Sequence, residues 1–275
     1  MSINYLKKIH LEEFNEDGYR ISPSKELESV IEGFYIFSSA PNNDTHLIFN
    51  DGFPVLVFLQ NSQDTVTVMG GKATLEIEAV CASGGSIKNI YVKYGSTTGQ
   101  VLVVRFHPVA FYPLFGLDTR YFRNHPVVPF EHIAKRNNFS VKDFYKCSSI
   151  EEKIAIFETF VQNSFTKIDT PEILYKTLDY IHNIKGNGTV RNVTDDAGVN
   201  YKWLERSFSQ HIGLMPKEYI QLQRFIHAYL ELVESKDVDL MRIAISNGYY
   251  DSNHFLKDFK AYTGKTPLAY LRFQS

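Results

Sequence analysis

Two stretches near the carboxyl end of the chain carry basic, amide and hydroxyl side chains at helical spacing. If Leu204 points into a core in the first stretch and Phe255 does so in the second, steps of about 100° per residue place six polar side chains on the opposite faces. These six are Lys202, Arg206 and Ser209 in the first stretch, and Asn253, Lys257 and Lys260 in the second. Lysine and arginine can donate to guanine O6 and N7, and asparagine can pair with adenine N6 and N7. The chemistry that these residue types favour is therefore hydrogen bonding to DNA bases in the major groove.

Position along each helix separates contacts to bases from contacts to the DNA backbone. Residues near the start of a helix are the better candidates for base edges. In this chain they are Lys202, Arg206, Ser252, Asn253 and Lys257. Ser209 and Lys260 come later in the helices and favour phosphate or water. Glu205 lies beside the first face and could accept from cytosine N4 or pair locally with Arg206. A solvated helix face explains any one lysine, but two matched helices of the same polarity weaken that explanation.

An internal repeat supplies the elements that would hold these side chains. Gly248–Phe273 reads as a turn, a capped helix, a glycine stop, a proline restart and a short closing helix. Gly198–Arg224 repeats the pattern. The matched positions are Phe208, Gly213, Pro216 and Tyr219 in the first copy, and Phe259, Gly264, Pro267 and Tyr270 in the second. A repeat of this kind indicates one supersecondary unit used twice. Each copy predicts a helix-turn-helix whose second helix can enter a major groove.

These residues also carry a resemblance to a known family. The run GYYDSNHFLKDFKAYTGKTPLAYL is close to the signature of AraC/XylS-type transcriptional regulators, and the similarity extends from about Ile173 to Phe273. The resemblance implies a domain of two helix-turn-helix units joined by a long helix. It also implies that early positions of both second helices read bases, and these positions align with Lys202, Arg206, Ser252, Asn253 and Lys257.

The segment between the two copies predicts the joining helix. Pro216–Ser235 is amphipathic, and its twenty residues would span about 30 Å at 1.5 Å per residue. Successive major-groove faces on one side of B-DNA repeat at roughly 34 Å. The helix therefore has about the length needed to place both units on one DNA face. We expect asymmetric reading by a single chain, with bending of the DNA as a further hypothesis.

Composition sets limits on these interpretations. The chain has 29 Lys and Arg against 31 Asp and Glu, a net charge of −2, with 44% hydrophobic and 22% charged residues. Residues 170–275 hold 13 basic and 12 acidic residues, about +1. A nucleic-acid module is commonly more basic, so its charge must be concentrated locally.

No apolar run reaches membrane-spanning length, the N-terminus is too polar for a secretory signal, and two cysteines imply no disulfide framework. We expect a cytoplasmic protein with no membrane partner.

The amino-terminal part predicts a second fold. From His46 onward, short runs rich in Val, Ile, Phe and Tyr alternate with turn residues, which favours an antiparallel sandwich or cupin-like barrel with flanking helices. Such a barrel can enclose a ligand or fill its interior with side chains, and the sequence leaves both open. This region resembles a domain found fused to AraC-type helix-turn-helix domains. The expected organisation is a β-rich regulatory domain at 1–147, a helical segment and linker at 148–169, and an all-α DNA-binding domain at 170–275.

The intermediate segment has helical spacing of its own. Apolar residues recur at Ile150, Ile154, Phe157, Val161 and Phe165, after a capping box of Ser148 or Ser149 with Glu152. This face could pack on the first domain or against a second copy of the chain, because periodicity does not separate a core face from an interface. In related regulators such helices often mediate dimerisation. Thr166–Pro171 is the predicted linker.

Catalytic and metal-binding patterns are not found in the sequence. The nine histidines form no His-x-His pair and no helical pair spaced three or four apart. Gly70-Gly71-Lys72 lacks the remainder of a phosphate loop, and neither cysteine belongs to a Cys-x-x-Cys pair. We expect no catalytic residue, no metal and no cofactor.

The favoured hypothesis is a sequence-specific transcriptional regulator and not an enzyme. Its expected partners are double-stranded DNA, a small-molecule effector of unknown identity, a second copy of the chain in a homodimer, and RNA polymerase if it activates. Two alternatives stay open. One is a cupin-like metalloenzyme with an accessory helical domain, and the other is a partner-binding module with a solid barrel.

Overall fold

The computed structural model describes residues 3–12, 14, 18–39, 45–70, 73–95, 99–134, 139–164 and 171–274. The chain divides into two compact units. The first comprises Met1–Gly85 with Ile90–Asp169, and the second comprises Ser86–Asn89 with Thr170–Ser275. The predicted linker residues 166–170 and the predicted apolar position at Phe165 lie outside the described residues.

Two antiparallel sheets build the first unit. The six-stranded sheet has the order β1-β2-β9-β4-β7-β10, and the four-stranded sheet has the order β3-β8-β5-β6. The strands are β1 (Gly18–Ile21), β2 (Ile31–Ser39), β3 (Thr45–Leu47), β4 (Val55–Phe58), β5 (Thr65–Gly70), β6 (Ala73–Glu78), β7 (Val80–Ser83), β8 (Ile90–Tyr94), β9 (Gly99–Phe106) and β10 (Val127–Pro129). This arrangement confirms the β-rich fold predicted for the amino-terminal part.

The six-stranded sheet is covered on both of its faces. In β2, Phe34 and Ile36 alternate with Tyr35 and Phe37, and all four side chains are buried. Because successive strand residues point to opposite faces, burial of both sets requires a layer on each side. On one side lie the helices α2 (Pro108–Leu114), α3 (Val141–Phe144) and α4 (Ile150–Ser164). Their apolar side chains join those of Phe34 and Ile36 in one continuous core.

Helix α4 takes part in this core. Ser149 Oγ accepts from the amide of Glu152 at 3.1 Å, and the Glu152 carboxylate accepts from the amide of Ser148 at 2.9 Å, which is the predicted capping box. Phe157 is fully buried, with its ring edge-on to Phe34 at 6.4 Å. The apolar face of α4 is therefore packed inside the first unit.

Helix α1 (Ile3–Leu11) is an element that sequence reasoning did not predict. Its Tyr5 ring stacks on Phe37 of β2 with centroids 4.2 Å apart and lies 6.5 Å from Tyr94 of β8. Since these strands belong to different sheets, α1 contacts both layers.

A buried ionic cluster lies beside α1. The Arg105 guanidinium forms ion pairs with Asp51 and, at 3.0 Å, with Glu32, while His10 Nε2 is 2.9 Å from the Asp51 carboxylate. The Phe53 ring lies 3.9 Å from the guanidinium carbon. Burial alone would raise the pKa of Asp51, but the charge of Arg105 and the hydrogen bond with His10 hold that pKa below its usual range. The cluster joins residues far apart in the sequence through the two terminal nitrogens of Arg105, while its buried Nε has no hydrogen-bond partner among the described residues.

The two cysteines differ in environment, and we expect them to react at different rates. Cys81 is buried, which raises the pKa of its thiol to about 11, whereas Cys147 is partly exposed. The thiolate is the reactive form, so a disulfide reagent such as DTNB should modify Cys147 first and Cys81 only upon unfolding. Cys147→Ser should remove the fast phase. Two equal fast phases in the folded wild type would contradict the buried placement of Cys81.

The second unit is helical in its described residues. Its helices are α5 (Glu172–Asn183), α6 (Val190–Ala197), α7 (Tyr201–His211), α8 (Pro216–Glu234), α9 (Leu240–Ser246), α10 (Ser252–Thr263) and α11 (Pro267–Gln274). Helices α6–α7 and α9–α10 form the two helix-turn-helix units, and α8 joins them, which confirms the predicted all-α fold. Over its 19 residues, α8 spans about 28 Å. None of the helices in the described part of the chain combines the length and apolar character that a membrane crossing requires.

Candidate nucleic-acid interface

Local sequence fixes the start and the inner face of α7. Asn200 caps the helix by accepting from the amide of Trp203 at 2.9 Å. Leu204 and Phe208 are fully buried, and the Phe208 ring meets Tyr219 of α8 edge-on at 5.7 Å. Because the inner face is held against α8, the opposite face of α7 is turned to solvent.

Helix α10 is built in the same way. Asp251 accepts from the amide of His254 at 2.9 Å, and Phe255 and Phe259 are fully buried. Phe259 packs against Phe225 of α8 with ring centroids 5.8 Å apart. Gly264 ends the helix in the left-handed conformation, with φ of 73°, as its position in the repeat predicts.

The structure places the predicted contact residues on two outward faces. On α7, Lys202, Arg206 and Ser209 are exposed and Glu205 is partly exposed; on α10, Asn253, Lys257 and Lys260 are exposed and Ser252 is partly exposed. The four residues of α7 follow the spacing i, i+3, i+4, i+7 and so share one stripe. Their roles toward DNA stay predictions, but each side chain is accessible to a ligand.

Glu205 has a partner that the sequence did not suggest. Its carboxylate accepts from the Tyr201 hydroxyl at 3.3 Å, and its charge raises the pKa of that phenol. Among the described side chains Glu205 therefore pairs with Tyr201, and the proposed local pair with Arg206 is not formed. Arg206 is exposed on the same helix, one turn after Lys202.

Basic side chains outnumber acidic ones on these two faces. The outward faces of α7 and α10 carry the four cations Lys202, Arg206, Lys257 and Lys260, although the unit as a whole is close to neutral. Asp258, the acidic residue within α10, is half-buried, and burial raises the pKa of its carboxyl. The two faces are thus more basic than the net charge suggests, which favours an anionic partner.

Helix α8 holds both helix-turn-helix units through polar contacts that sequence reasoning missed. The Arg224 guanidinium donates to the carbonyl oxygens of Gly186 at 3.1 Å and Gly188 at 2.9 Å, just before α6. The hydroxyls of Tyr229 on α8 and Tyr270 on α11 lie 3.1 Å apart. An arginine on a predicted amphipathic helix gives no sign of its backbone partners, so only the structure could identify them.

The tight approach of Gly186 to α8 leads to a stability prediction. Gly186 has φ of 66°, and a Cβ there would collide with the backbone of Ile220 and Arg224; Gly198 has φ of 64° with nothing within 4 Å of a Cβ. Both alanine substitutions carry left-handed strain of about 1–2 kcal/mol, but only Gly186→Ala adds overpacking of about 1–3 kcal/mol. Urea unfolding followed by Trp203, the single tryptophan, should show the larger loss for Gly186→Ala. Equal losses would contradict the close packing of this turn.

The histidines and cysteines give no metal-binding geometry in the described ranges. No group of three or more His, Cys, Asp or Glu side chains within them is arranged to hold a metal ion. The His10–Asp51–Arg105–Glu32 cluster has the donor set of an ion-pair network, in which the carboxylates already face a guanidinium. The described side chains of the two outward faces are suited to binding an anionic polymer.

Comparison with known proteins gives matches to both parts of the chain. A family model described as a helix-turn-helix domain matches residues 193–272, and one described as a domain of unknown function (DUF6597) matches residues 19–128. The transcriptional activator AarP of Providencia stuartii is 34% identical over 91 residues, which cover 32% of this chain and 67% of AarP. The transcriptional activator RhaS of Escherichia fergusonii is 33% identical over 75 residues, or 27% of each chain.

The matched regions differ in how much of each relative they cover. The matched part of the chain spans about a quarter of the length of RhaS and two thirds of that of AarP. Among solved structures, ToxT from Vibrio cholerae O395 aligns over 94% of this chain and 96% of its own, with 17% identity and a TM-score of 0.44.

Proposed function

The chain belongs to the AraC/XylS family of transcriptional regulators, and from this premise we propose that it is a sequence-specific DNA-binding regulator that inserts α7 and α10 into neighbouring major-groove segments. The observation that carries the proposal is the pair of like-built helices with exposed basic and amide faces, held by one helix of about 28 Å. That length is close to the roughly 34 Å repeat of the major groove on one side of B-DNA.

Each predicted contact residue has a role in this proposal. Arg206 and Lys202 would donate to guanine, Asn253 would pair with adenine, and Lys257 would donate on the second half-site. Ser252 and Glu205, which are less exposed, would contribute at the edges of the two stripes. Ser209 and Lys260 would meet phosphate oxygens, which position the protein without reading sequence.

We assign no catalysed reaction to the chain. The relatives that match it are transcriptional activators. The outward faces of α7 and α10 present binding groups, but no catalytic nucleophile next to a general base. Metal analysis of the purified full chain distinguishes this proposal from a cupin-like metalloenzyme. A stoichiometric metal required for turnover of a small molecule would overturn it.

The first unit would supply control. Its sheets could bind a small-molecule effector or a second copy of the chain. Either event would shift the protein between conformations that bind DNA with different affinity. A homodimer would use a surface other than the apolar face of α4, because Phe157 and its neighbours are packed in the unit's own core. RNA polymerase would be a partner if the regulator activates. We propose that the protein acts in the cytoplasm, where it binds DNA.

The test is selection of DNA by the full chain from a pool of genomic fragments, followed by affinity measurements at several salt concentrations. We expect enrichment of a site with two half-sites about one helical turn apart. The slope of log affinity against log salt should be modest, because the two faces carry four cations and each phosphate neutralised contributes roughly −0.9 to that slope. The selection is repeated with metabolites from a cell extract as a source of the effector. If the chain preferred no fragment in either condition, the proposal would be contradicted.

A further inference from the structure

One carboxylate on α8 binds three donors from α9 and its end. Glu231 Oε1 accepts from Arg242 Nη1 at 2.8 Å, and Oε2 accepts from Ser246 Oγ at 2.9 Å and Asn247 Nδ2 at 2.6 Å. Arg242 and Ser246 are one turn apart on α9, and Asn247 is the residue that ends it. We refer to Glu231, Arg242, Ser246 and Asn247 as the Glu231 clasp.

The clasp fixes α9 in two respects. Its three donors lie along one side of α9, from the first turn to the C-terminal end, so their simultaneous binding to one carboxylate restrains both rotation about the axis of α9 and sliding along it. Asn247 Nδ2 also donates to the Ile243 carbonyl at 2.9 Å, which ties the clasp to the helix backbone. Only residues 248–251 separate this point from α10, so the direction of α10 follows from that of α9.

The other contacts of α8 with α10 are of a different kind. Phe225 stacks on Tyr262 at 4.3 Å, and Tyr229 stacks on Phe259 at 6.2 Å. Ring pairs of this type stabilise the unit mainly by burying apolar area, and they are favourable over a range of centroid separations of about 4.5–7 Å. Hydrogen bonds lose strength steeply when their angle changes. The Tyr229–Tyr270 contact to α11 is a single hydrogen bond, whereas the clasp has three on one carboxylate. The clasp is therefore the contact best suited to set the angle between α8 and the second helix-turn-helix.

The angle between the two units has a direct consequence on DNA. One base pair advances the duplex by about 3.4 Å and turns it by about 34°, since a full turn takes 10–10.5 base pairs. Adding one base pair between two half-sites therefore rotates one of them around the duplex as well as moving it. A stiff joint between α8 and α9 accepts one spacing, whereas a loose joint accepts several.

We propose that Glu231 is a positioning residue that determines which spacing between the two half-sites the regulator accepts. The inference rests on the proposed function, because it assumes that α7 and α10 grip one duplex. Glu231 itself lies on α8 and not on either outward face, so its effect reaches DNA through the orientation of α10.

The experiment compares the full-length wild type with Glu231→Ala and the matched control Glu234→Ala. Glu234 is exposed and lies one turn further along α8, and its side chain has no hydrogen bond or ion pair among the described residues. Affinities are measured for the selected site and for the same site with one base pair inserted or deleted between its half-sites. The readout is the ratio of affinities for the natural and altered spacings.

We expect the wild type and Glu234→Ala to share one ratio, and Glu231→Ala to reduce it by about 5-fold or more, as loss of a charge-assisted hydrogen bond predicts. Glu231→Gln keeps an acceptor for Ser246 and Asn247 but loses the charge facing Arg242, so its ratio should be intermediate. Arg242→Gln leaves the carboxylate in place, and it provides the test if Glu231→Ala does not fold.

Each other outcome counts against the inference or against its premise. If Glu231→Ala weakens all sites equally and leaves the ratio unchanged, Glu231 has only a structural role and the inference is wrong. A wild type that binds its site but tolerates every spacing also overturns it. If the wild type selects no site at all, the proposed function fails first, and the two failures are thereby distinguished.

Discussion

Replacing Arg206 and Lys257 together with alanine should weaken binding of the full chain to its selected site by about 2–6 kcal/mol, because each side chain supplies a base contact of about 1–3 kcal/mol. The two residues lie on different helices, α7 and α10, and share no partner in the structure, so their effects should add to within a few tenths of a kcal/mol. Fluorescence anisotropy at one fixed salt concentration measures the loss.

The control for this change is Lys176→Ala on α5. Lys176 is exposed and pairs with Glu172 at 2.8 Å, but it lies outside both helix-turn-helix units. Its loss should leave specific affinity nearly unchanged. The single variants Arg206→Ala and Lys257→Ala are measured as well. If one of them lost as much affinity as the double variant and the other lost none, the chain would read DNA through one helix, contrary to the proposal.

The second large effect concerns the stability of the first unit. Asp51→Ala should destabilise it by up to about 3–5 kcal/mol, because removal of one partner leaves the buried Arg105 guanidinium without its most buried counter-charge. Asp51 is 1% exposed and Arg105 is 6% exposed. Glu32 stays at 3.0 Å from Arg105, which would keep the loss from exceeding this range. Amide hydrogen exchange of β2, β4 and β9 should report the change.

A matched exposed pair provides the control. Asp118 and Arg120 form an ion pair at 2.8 Å with both side chains in solvent. Exposed pairs contribute little to stability, so Asp118→Ala should leave exchange in the sheets unchanged. Similar losses for Asp51→Ala and Asp118→Ala would show that burial of the cluster has no energetic consequence.

The same cluster predicts a dependence on pH. Its surroundings hold the pKa of Asp51 below the ordinary value, so the ionised carboxylate stabilises the folded state at all pH values above about 4. This contribution is lost as pH falls toward the lower folded-state pKa and the carboxylate takes up a proton. The wild type should therefore lose stability more steeply than Asp51→Ala in acid below about pH 4. Parallel curves would contradict the lowered pKa.

Local signals in the sequence predicted the second unit well. Gly264 as a helix stop and the paired Leu204 and Phe208 depend only on near neighbours, and a repeat gives each of them a second occurrence. The capped start predicted for the second helix is formed by Asp251. The candidate contact faces could be found for the same reason, since helical periodicity places polar residues opposite apolar ones.

Contacts over long sequence separations could not be predicted in this way. Asp51 meets His10 and Arg105 across 41 and 54 residues, and no local pattern links them. Helix α1 was missed because its Tyr5 is buried by strands that pair much later in the chain. Glu231 reads as one more polar residue on an amphipathic helix, and only the packing of α9 across α8 gives it three donors.

Hydroxyl-radical footprinting of the full chain on its selected site tests most directly whether α7 and α10 grip one duplex together. Two protected patches on one face of the DNA, about one helical turn apart, are the expected result. With each variant at a concentration that saturates the site, Arg206→Ala should weaken protection at one patch and Lys257→Ala at the other. A single patch, or two patches that respond together to either substitution, would contradict reading by two separate helices.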